Sequence, residues 1–126
     1  MSIYILLAMI FLHIVDDFKL QMPTLANLKQ RVFWQENAPA GKYKHDYIVA
    51  LILHSFSWSF MIMTPIAFIT QFVMTPLFVI LFLLNIVIHA IVDDLKANKL
   101  KINLIVDQSI HMVQLIVTFL LFAQMT

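Results

Sequence analysis

Three segments of this sequence place a histidine and an aspartate four positions apart. The pairs are His13/Asp17, His89/Asp93 and Asp107/His111. Four positions are close to one helical turn, so the two members of each pair lie on the same face of a helix. Imidazole and carboxylate together suit Zn²⁺, Mn²⁺ or Fe²⁺. The spacing therefore predicts metal ligands on three helices.

A fourth histidine, His54, extends the set of candidate ligands. We predict seven of them: His13, Asp17, His54, His89, Asp93, Asp107 and His111. A single metal ion takes three or four protein ligands, so seven are enough for two ions about 3.5–4 Å apart, an arrangement that clamps phosphoryl groups. We expect one or two divalent ions, with zinc favoured over manganese or iron. The alternative is a metal-free network of buried ion pairs that holds the helices together.

Other polar residues near these ligands have predicted supporting roles. Asp16 and Asp94 each lie next to a candidate ligand and are candidate general bases in catalysis. Further candidates for orienting the ligands or contacting a substrate are Gln21, Asn85, Lys96 and Gln114.

The elements that must position these residues are membrane helices. Hydrophobic residues make up 62% of the sequence and charged residues 12%, which is more apolar surface than a chain of 126 residues can bury. We predict an all-α integral membrane protein, a single domain over residues 1–126, with four transmembrane helices at about 2–22, 47–73, 76–98 and 102–123. Pro65 should kink or break the second of them. The net charge of +1 argues against nucleic-acid binding.

The polar connection between the first two predicted helices has its own apolar pattern. Leu25, Leu28, Val32 and Phe33 recur at helical spacing, whereas Lys29 and its polar neighbours are expected to face elsewhere. This pattern is typical of a short amphipathic helix lying on the membrane surface. An irregular loop is the alternative.

The distribution of positive charge predicts the topology. Every lysine and arginine lies in or beside the first and third connections. With four alternating helices these connections share one side of the membrane, which the positive-inside rule makes cytoplasmic, and both termini lie on the other side. The His and Asp residues then share one layer, roughly 7–13 Å below the cytoplasmic surface. Ionisable groups at such a depth are costly, which indicates a function.

The sequence also resembles a known family. The segments His13–Gln21 (HIVDDFKLQ), His89–Lys96 (HAIVDDLK) and Asp107–His111 (DQSIH) resemble an uncharacterised family of small bacterial and phage membrane proteins. The resemblance covers nearly the whole chain, with a departure at Asp16, where a small residue is common. That family is similar to membrane-bound metal-dependent hydrolases. The resemblance implies a bacterial or phage origin and, with it, the bacterial inner membrane.

Three functions are open at this point. The first is a metal-dependent hydrolase acting on a phospholipid, a polyprenyl phosphate or another amphiphile, with a water nucleophile activated at the metal and Asp16 or Asp94 as base. The second is transport of protons or metal ions through the same groups. The third is a non-catalytic factor, such as a phage protein that alters the host envelope, with a structural metal. The expected partners are membrane lipids and an amphiphilic substrate. Whether the chain forms a homo-oligomer is left open by the sequence.

Overall fold

All regular secondary structure in the described residues is helical. The computed structural model describes residues 1–38 and 41–124. The helices are α1 (Ile3–Ile14), which continues as a π-helical turn (Val15–Leu20), two short helices α2 (Pro23–Leu28) and α3 (Arg31–Asn37), and the long helices α4 (Asp46–Ile69), α5 (Pro76–Ala97) and α6 (Leu104–Ala123). The predicted all-α class is confirmed.

Side-chain caps begin three of these helices. Ser2, Thr75 and Asn103 stand immediately before α1, α5 and α6, and each side-chain oxygen accepts a backbone N–H of the first turn at 3.0–3.2 Å. Such caps satisfy N–H groups that have no partner within the helix. Pro76 follows its cap at the first helical position, where the missing N–H costs nothing.

Of the kink or break predicted at Pro65, the break is wrong. Helix α4 continues through this buried proline and ends at Ile69. The hydroxyl of Thr64 donates to the carbonyl of Phe60 at 2.7 Å, which keeps a polar contact within the turn that contains the proline. The reversal lies further on, where Gln71 and Phe72 have φ angles of +52° and +60°.

Four of the helices form a closed ring. α1 contacts α4 and α6, and α5 contacts the same two helices from the other side. One end of the bundle is filled with apolar side chains, among them Met9, Ile62, Ile66, Leu115 and Phe119. Towards the other end, polar side chains occupy the interior. The short helices α2 and α3 pack on α4.

The outer surface of the bundle is that of a membrane protein. α4, α5 and α6 are each long and apolar enough to cross a membrane. Their outward faces are apolar: Leu53 is 62% exposed, Phe60 57% and Val113 60%. The interior of the bundle contains charged and polar side chains, among them Asp16, Asp93 and Asp107, which is the reverse of a water-soluble domain. The first predicted helix, 2–22, is divided at Ile14 between α1 and the π-helical turn.

Candidate metal centre

The ring of helices gathers all seven predicted ligands, together with Asp16, into one buried group that we call the polar cluster. Its most buried members are His13, Asp16, His54, His89, Asp93, Asp107 and His111, each at most 2% exposed. The side chain of Asp17 is 4% exposed. Charged groups at this level of burial are stable only when they are paired or bound to a metal.

Three atoms in the polar cluster converge, and none of them has a hydrogen bond to any described residue. They are Asp17 Oδ1, His54 Nε2 and His89 Nε2, and their residues, which we call the open triad, could hold a metal ion. Asp17 Oδ1 lies 3.3 Å from His54 Nε2 and 3.8 Å from His89 Nε2. Two tetrahedral zinc ligands at normal bond lengths lie roughly 3.4 Å apart. The residues of the open triad therefore fit a zinc ion in number, type and spacing.

A second group, His89, Asp93 and His111, could also hold an ion, and we call it the paired triad. Its carboxylate already has two partners. Lys29 Nζ donates to Asp93 Oδ2 at 2.6 Å, and His111 Nε2 lies 3.3 Å from Asp93 Oδ1. His89 stacks on His111 with ring centroids 4.0 Å apart. The two triads share His89. They differ in their carboxylates, because both oxygens of Asp93 have partners whereas Asp17 Oδ1 has no hydrogen bond to a described residue.

Trp58 separates the polar cluster from the apolar end of the bundle. Its indole N–H donates to His13 Nδ1 at 2.7 Å, and its ring stacks on His89 at 4.3 Å between centroids. His13 is thereby fixed beside the two triads and belongs to neither of the metal-binding groups in the described residues. Sequence reasoning missed Trp58 because a tryptophan in an apolar helix looks like any other core residue.

The π-helical turn directs both acidic residues of the first helix inward. Because a π-turn is wider than an α-turn, it turns the chain by a smaller angle per residue, and such turns are frequent at functional sites. Asp16 Oδ1 accepts a hydrogen bond from Ser57 at 2.6 Å. Asp16 Oδ2 has no hydrogen-bond partner among residues 1–38 and 41–124, and it lies 3.7 Å from His54 Nδ1. Asp16 therefore stands next to the open triad with one free oxygen.

Two lysines and a glutamine close the cluster towards the charged end of the bundle. Lys96 Nζ donates to Asp107 Oδ2 at 2.7 Å, as its predicted supporting role allows. Gln108 Nε2 donates to both Asp17 Oδ2 and Asp107 Oδ2 at 3.0 Å. The prediction that Lys29 faces away is wrong, because Lys29 is 2% exposed and contacts Asp93.

The remaining predicted residues lie outside the polar cluster. Asp94 accepts a hydrogen bond from Asn98 at 2.8 Å and pairs with Lys99 at 3.5 Å, because it lies a further 100° round α5 from Asp93. Gln21 contributes a backbone N–H to the carbonyl of Asp16, and the structure gives its side chain no hydrogen bond to a described cluster residue.

Asn85 and Gln114 bond to each other rather than to the ligands. Gln114 Nε2 donates to Asn85 Oδ1 at 2.8 Å, and Asn85 Nδ2 donates to Thr118 at 3.0 Å. This amide network links α5 to α6. It holds together the helices that carry His89 and His111, and its recorded hydrogen bonds involve neither imidazole.

Comparison with known proteins assigns this chain to no family. The chain matches no protein-family model, no curated protein and no solved structure.

Proposed function

We propose that this chain is a membrane-embedded, metal-dependent hydrolase that acts on a lipid-linked or phosphate-bearing substrate at the cytoplasmic leaflet. The observation that carries the proposal is the convergence of Asp17 Oδ1, His54 Nε2 and His89 Nε2, three buried atoms that have no hydrogen bond within the described part of the chain. Leaving such atoms unsatisfied is costly. A divalent cation would satisfy all three at once, and the mixed nitrogen and oxygen donor set favours zinc.

The proposed enzyme has four transmembrane helices in a bacterial inner membrane. α1 has 12 residues and the π-helical turn that continues it has 6. Their combined length is about 27 Å at helical rise, which is close to the thickness of the hydrocarbon core. α2 and α3 lie at the cytoplasmic interface. The lysine-bearing connections face the cytoplasm and both termini face the other side.

Cysteine labelling tests this topology directly, because the natural sequence contains no cysteine. We expect Lys44→Cys and Lys101→Cys to react with a membrane-impermeant maleimide only in inside-out vesicles. Ser2→Cys should react only in intact spheroplasts. Reaction of the two lysine-site cysteines from opposite faces would contradict the topology and, with it, the cytoplasmic position of the centre.

In the proposed reaction a bound divalent ion supplies Lewis-acid activation of water and of a phosphoryl oxygen. Asp16 keeps one oxygen without a hydrogen bond to a described residue beside the open triad, so it can accept the proton of the water that attacks phosphorus. It can return that proton to the lipid or phosphate oxygen that leaves when the P–O bond breaks. Ser57 holds the other oxygen and fixes the carboxylate. The side chain of Lys96 is 28% exposed at the edge of the cluster, where its ammonium can attract an anionic head group.

The activity test uses purified protein in lipid nanodiscs with Zn²⁺, and phosphatidic acid or a polyprenyl diphosphate as substrate. We expect release of inorganic phosphate. Asp16→Asn should lower turnover by about 10²- to 10⁴-fold, the usual contribution of a general base, and should retain the ion, because Asp16 is not in the open triad. Asp94→Asn is the matched control and should retain turnover. Equal turnover of Asp16→Asn and the unaltered protein would contradict the role of Asp16.

A second candidate is a non-catalytic membrane protein that uses the ion as a structural staple. It is favoured by the very low exposure of the polar cluster, since His89, Asp107 and His111 are each 0% exposed. In that case removal of zinc with a chelator lowers the unfolding temperature, and no phosphate is released from either amphiphile. A hydrolase would release phosphate in proportion to its zinc content.

A further inference from the structure

The polar cluster has two halves that differ in their cations. In one half Lys29 and Lys96 donate to Asp93 and Asp107 at 2.6 and 2.7 Å. In the other half Asp16 and Asp17 receive hydrogen bonds from Ser57 and Gln108 but pair with no lysine or arginine in the described residues. The half that lacks a lysine is the one that contains the open triad.

We propose that Lys29 is a built-in cation that takes the place of a second metal ion, so that the centre binds one divalent ion per chain, at the open triad. This inference rests on the proposed metal centre. Lys29 thereby sets the number of ions and the class of chemistry, which uses one ion rather than a bridged pair.

Charge balance supports a single ion. The cluster contains four carboxylates, Asp16, Asp17, Asp93 and Asp107, and two ammonium groups contact it, Lys29 and Lys96. Counted over these four carboxylates and two ammonium groups alone, an excess of two negative charges remains, which one divalent ion balances. A second divalent ion would leave the buried group with two positive charges in excess, in a medium where such charges are costly.

The geometry of His89 supports the same conclusion. Its Nε2 atom lies 3.8 Å from Asp17 Oδ1 and 3.7 Å from Asp93 Oδ2, so the two triads use the same nitrogen. A neutral imidazole nitrogen has one lone pair and binds one ion. The competing oxygen, Asp93 Oδ2, is the one that Lys29 holds. An ion on the open triad therefore leaves the paired triad without His89.

The position of Lys29 is fixed by its backbone. Asn98, at the end of α5, donates from Nδ2 to the carbonyl of Lys29 at 3.0 Å and accepts the N–H of Arg31 at Oδ1 at 2.6 Å. These bonds hold both residues that flank Gln30, where the chain is extended between α2 and α3. The lysine side chain is thus inserted by a specific contact between the α2–α3 segment and α5.

The test is the number of zinc ions bound at saturation, measured by elemental analysis after equilibrium dialysis of the full chain in nanodiscs. We expect one ion for the unaltered protein and one for Lys29→Arg, which keeps the charge. We expect two for Lys29→Met, because it frees Asp93 beside His111 and Asp107, whose Oδ1 has no hydrogen bond and lies 3.4 Å from His111 Nε2. Lys99→Met is the matched control, since that side chain is 56% exposed, and should bind one ion.

Each outcome supports or contradicts either the role of Lys29 or the metal centre itself. Two ions in the unaltered protein, or one ion in folded Lys29→Met, would overturn the role of Lys29 while the metal centre stands. No bound ion in any variant would overturn the metal centre itself. If Lys29→Met does not fold, amine acetylation of the unaltered protein followed by mass spectrometry gives the answer. Lys29 should stay unmodified with and without saturating Zn²⁺ while Lys99 reacts, and zinc-dependent modification of Lys29 would mean that a second ion displaces it.

Discussion

A protein carrying His89→Ala should bind Zn²⁺ at least about 100-fold more weakly than the unaltered chain, and should lose phosphate release with it. His89 is the one residue that both metal-binding groups of the described chain share. Loss of a residue that merely orients a ligand already costs about 10- to 100-fold in affinity, so loss of this direct ligand should reach or exceed the upper figure. Competition with a fluorescent zinc chelator measures the affinity.

The imidazole of His89 also packs between two rings, so a control for the fold is needed. It stacks on Trp58 at 4.3 Å and on His111 at 4.0 Å between centroids. Asp17→Asn keeps the shape of its side chain and removes only the charge, and should weaken zinc binding as well. His45→Ala alters an exposed histidine immediately before α4 and should leave the affinity unchanged. Unaltered affinity in His89→Ala would exclude both triads as the zinc site.

Trp58→Ala should lower the free energy of unfolding by about 3–5 kcal/mol, the range for a fully buried large side chain. Trp58 is 0% exposed and belongs to the apolar core, while its indole N–H donates to His13. The substitution leaves a cavity and also removes the hydrogen bond that fixes a buried imidazole. Unfolding by SDS titration in mixed micelles, followed by circular dichroism, measures the loss.

Two further variants separate packing from hydrogen bonding at this position. Trp58→Phe keeps an aromatic ring beside His89 but removes the donor to His13. The missing hydrogen bond should lower the free energy of unfolding by about 1 kcal/mol, in addition to any loss caused by the smaller ring. Phe60→Ala removes an aromatic side chain that is 57% exposed on the same helix, and should cost much less than Trp58→Ala. Equal decreases in the free energy of unfolding for Trp58→Ala and Phe60→Ala would contradict the role of Trp58 as the buried side chain that separates the polar cluster from the apolar end.

The convergence of the predicted ligands could be predicted from the sequence because it depends on two regular features. The His and Asp spacing of four residues fixes a face, and the alternation of the helices fixes a level. His13, His54, Asp93 and Asp107 therefore lie in the same cluster, as expected. The helical class follows equally directly from the length of the apolar segments.

The features that depend on local irregularity could not be predicted. Nothing in the sequence of the first helix indicates that a π-helical turn begins at Val15 and directs both Asp16 and Asp17 inward. The break of the amphipathic segment at Gln30, which directs Lys29 into the bundle, depends on the contact with Asn98 on a distant helix. One signal was available, since Lys29 lies four positions after Leu25 and would share a face with that apolar residue in a continuous helix.

Asn85 and Gln114 show a different limit. They lie four positions before His89 and three after His111, so the helical repeat places them near the ligands, but it does not decide which partner an amide takes. An amide both donates and accepts. The two side chains satisfy each other across α5 and α6, and this choice depends on the distance between two helices.

The apolar packing on the side of Trp58 away from the polar cluster should prevent ions and water from passing through the bundle. Four carboxylates set into a bilayer could draw in a file of water and dissipate the ion gradients of the cell. Here Met9, Ile62, Ile66 and Leu115, each 0% exposed, fill the bundle on the far side of the indole and act as an insulating plug. A cell that makes this protein in quantity should therefore keep its proton-motive force.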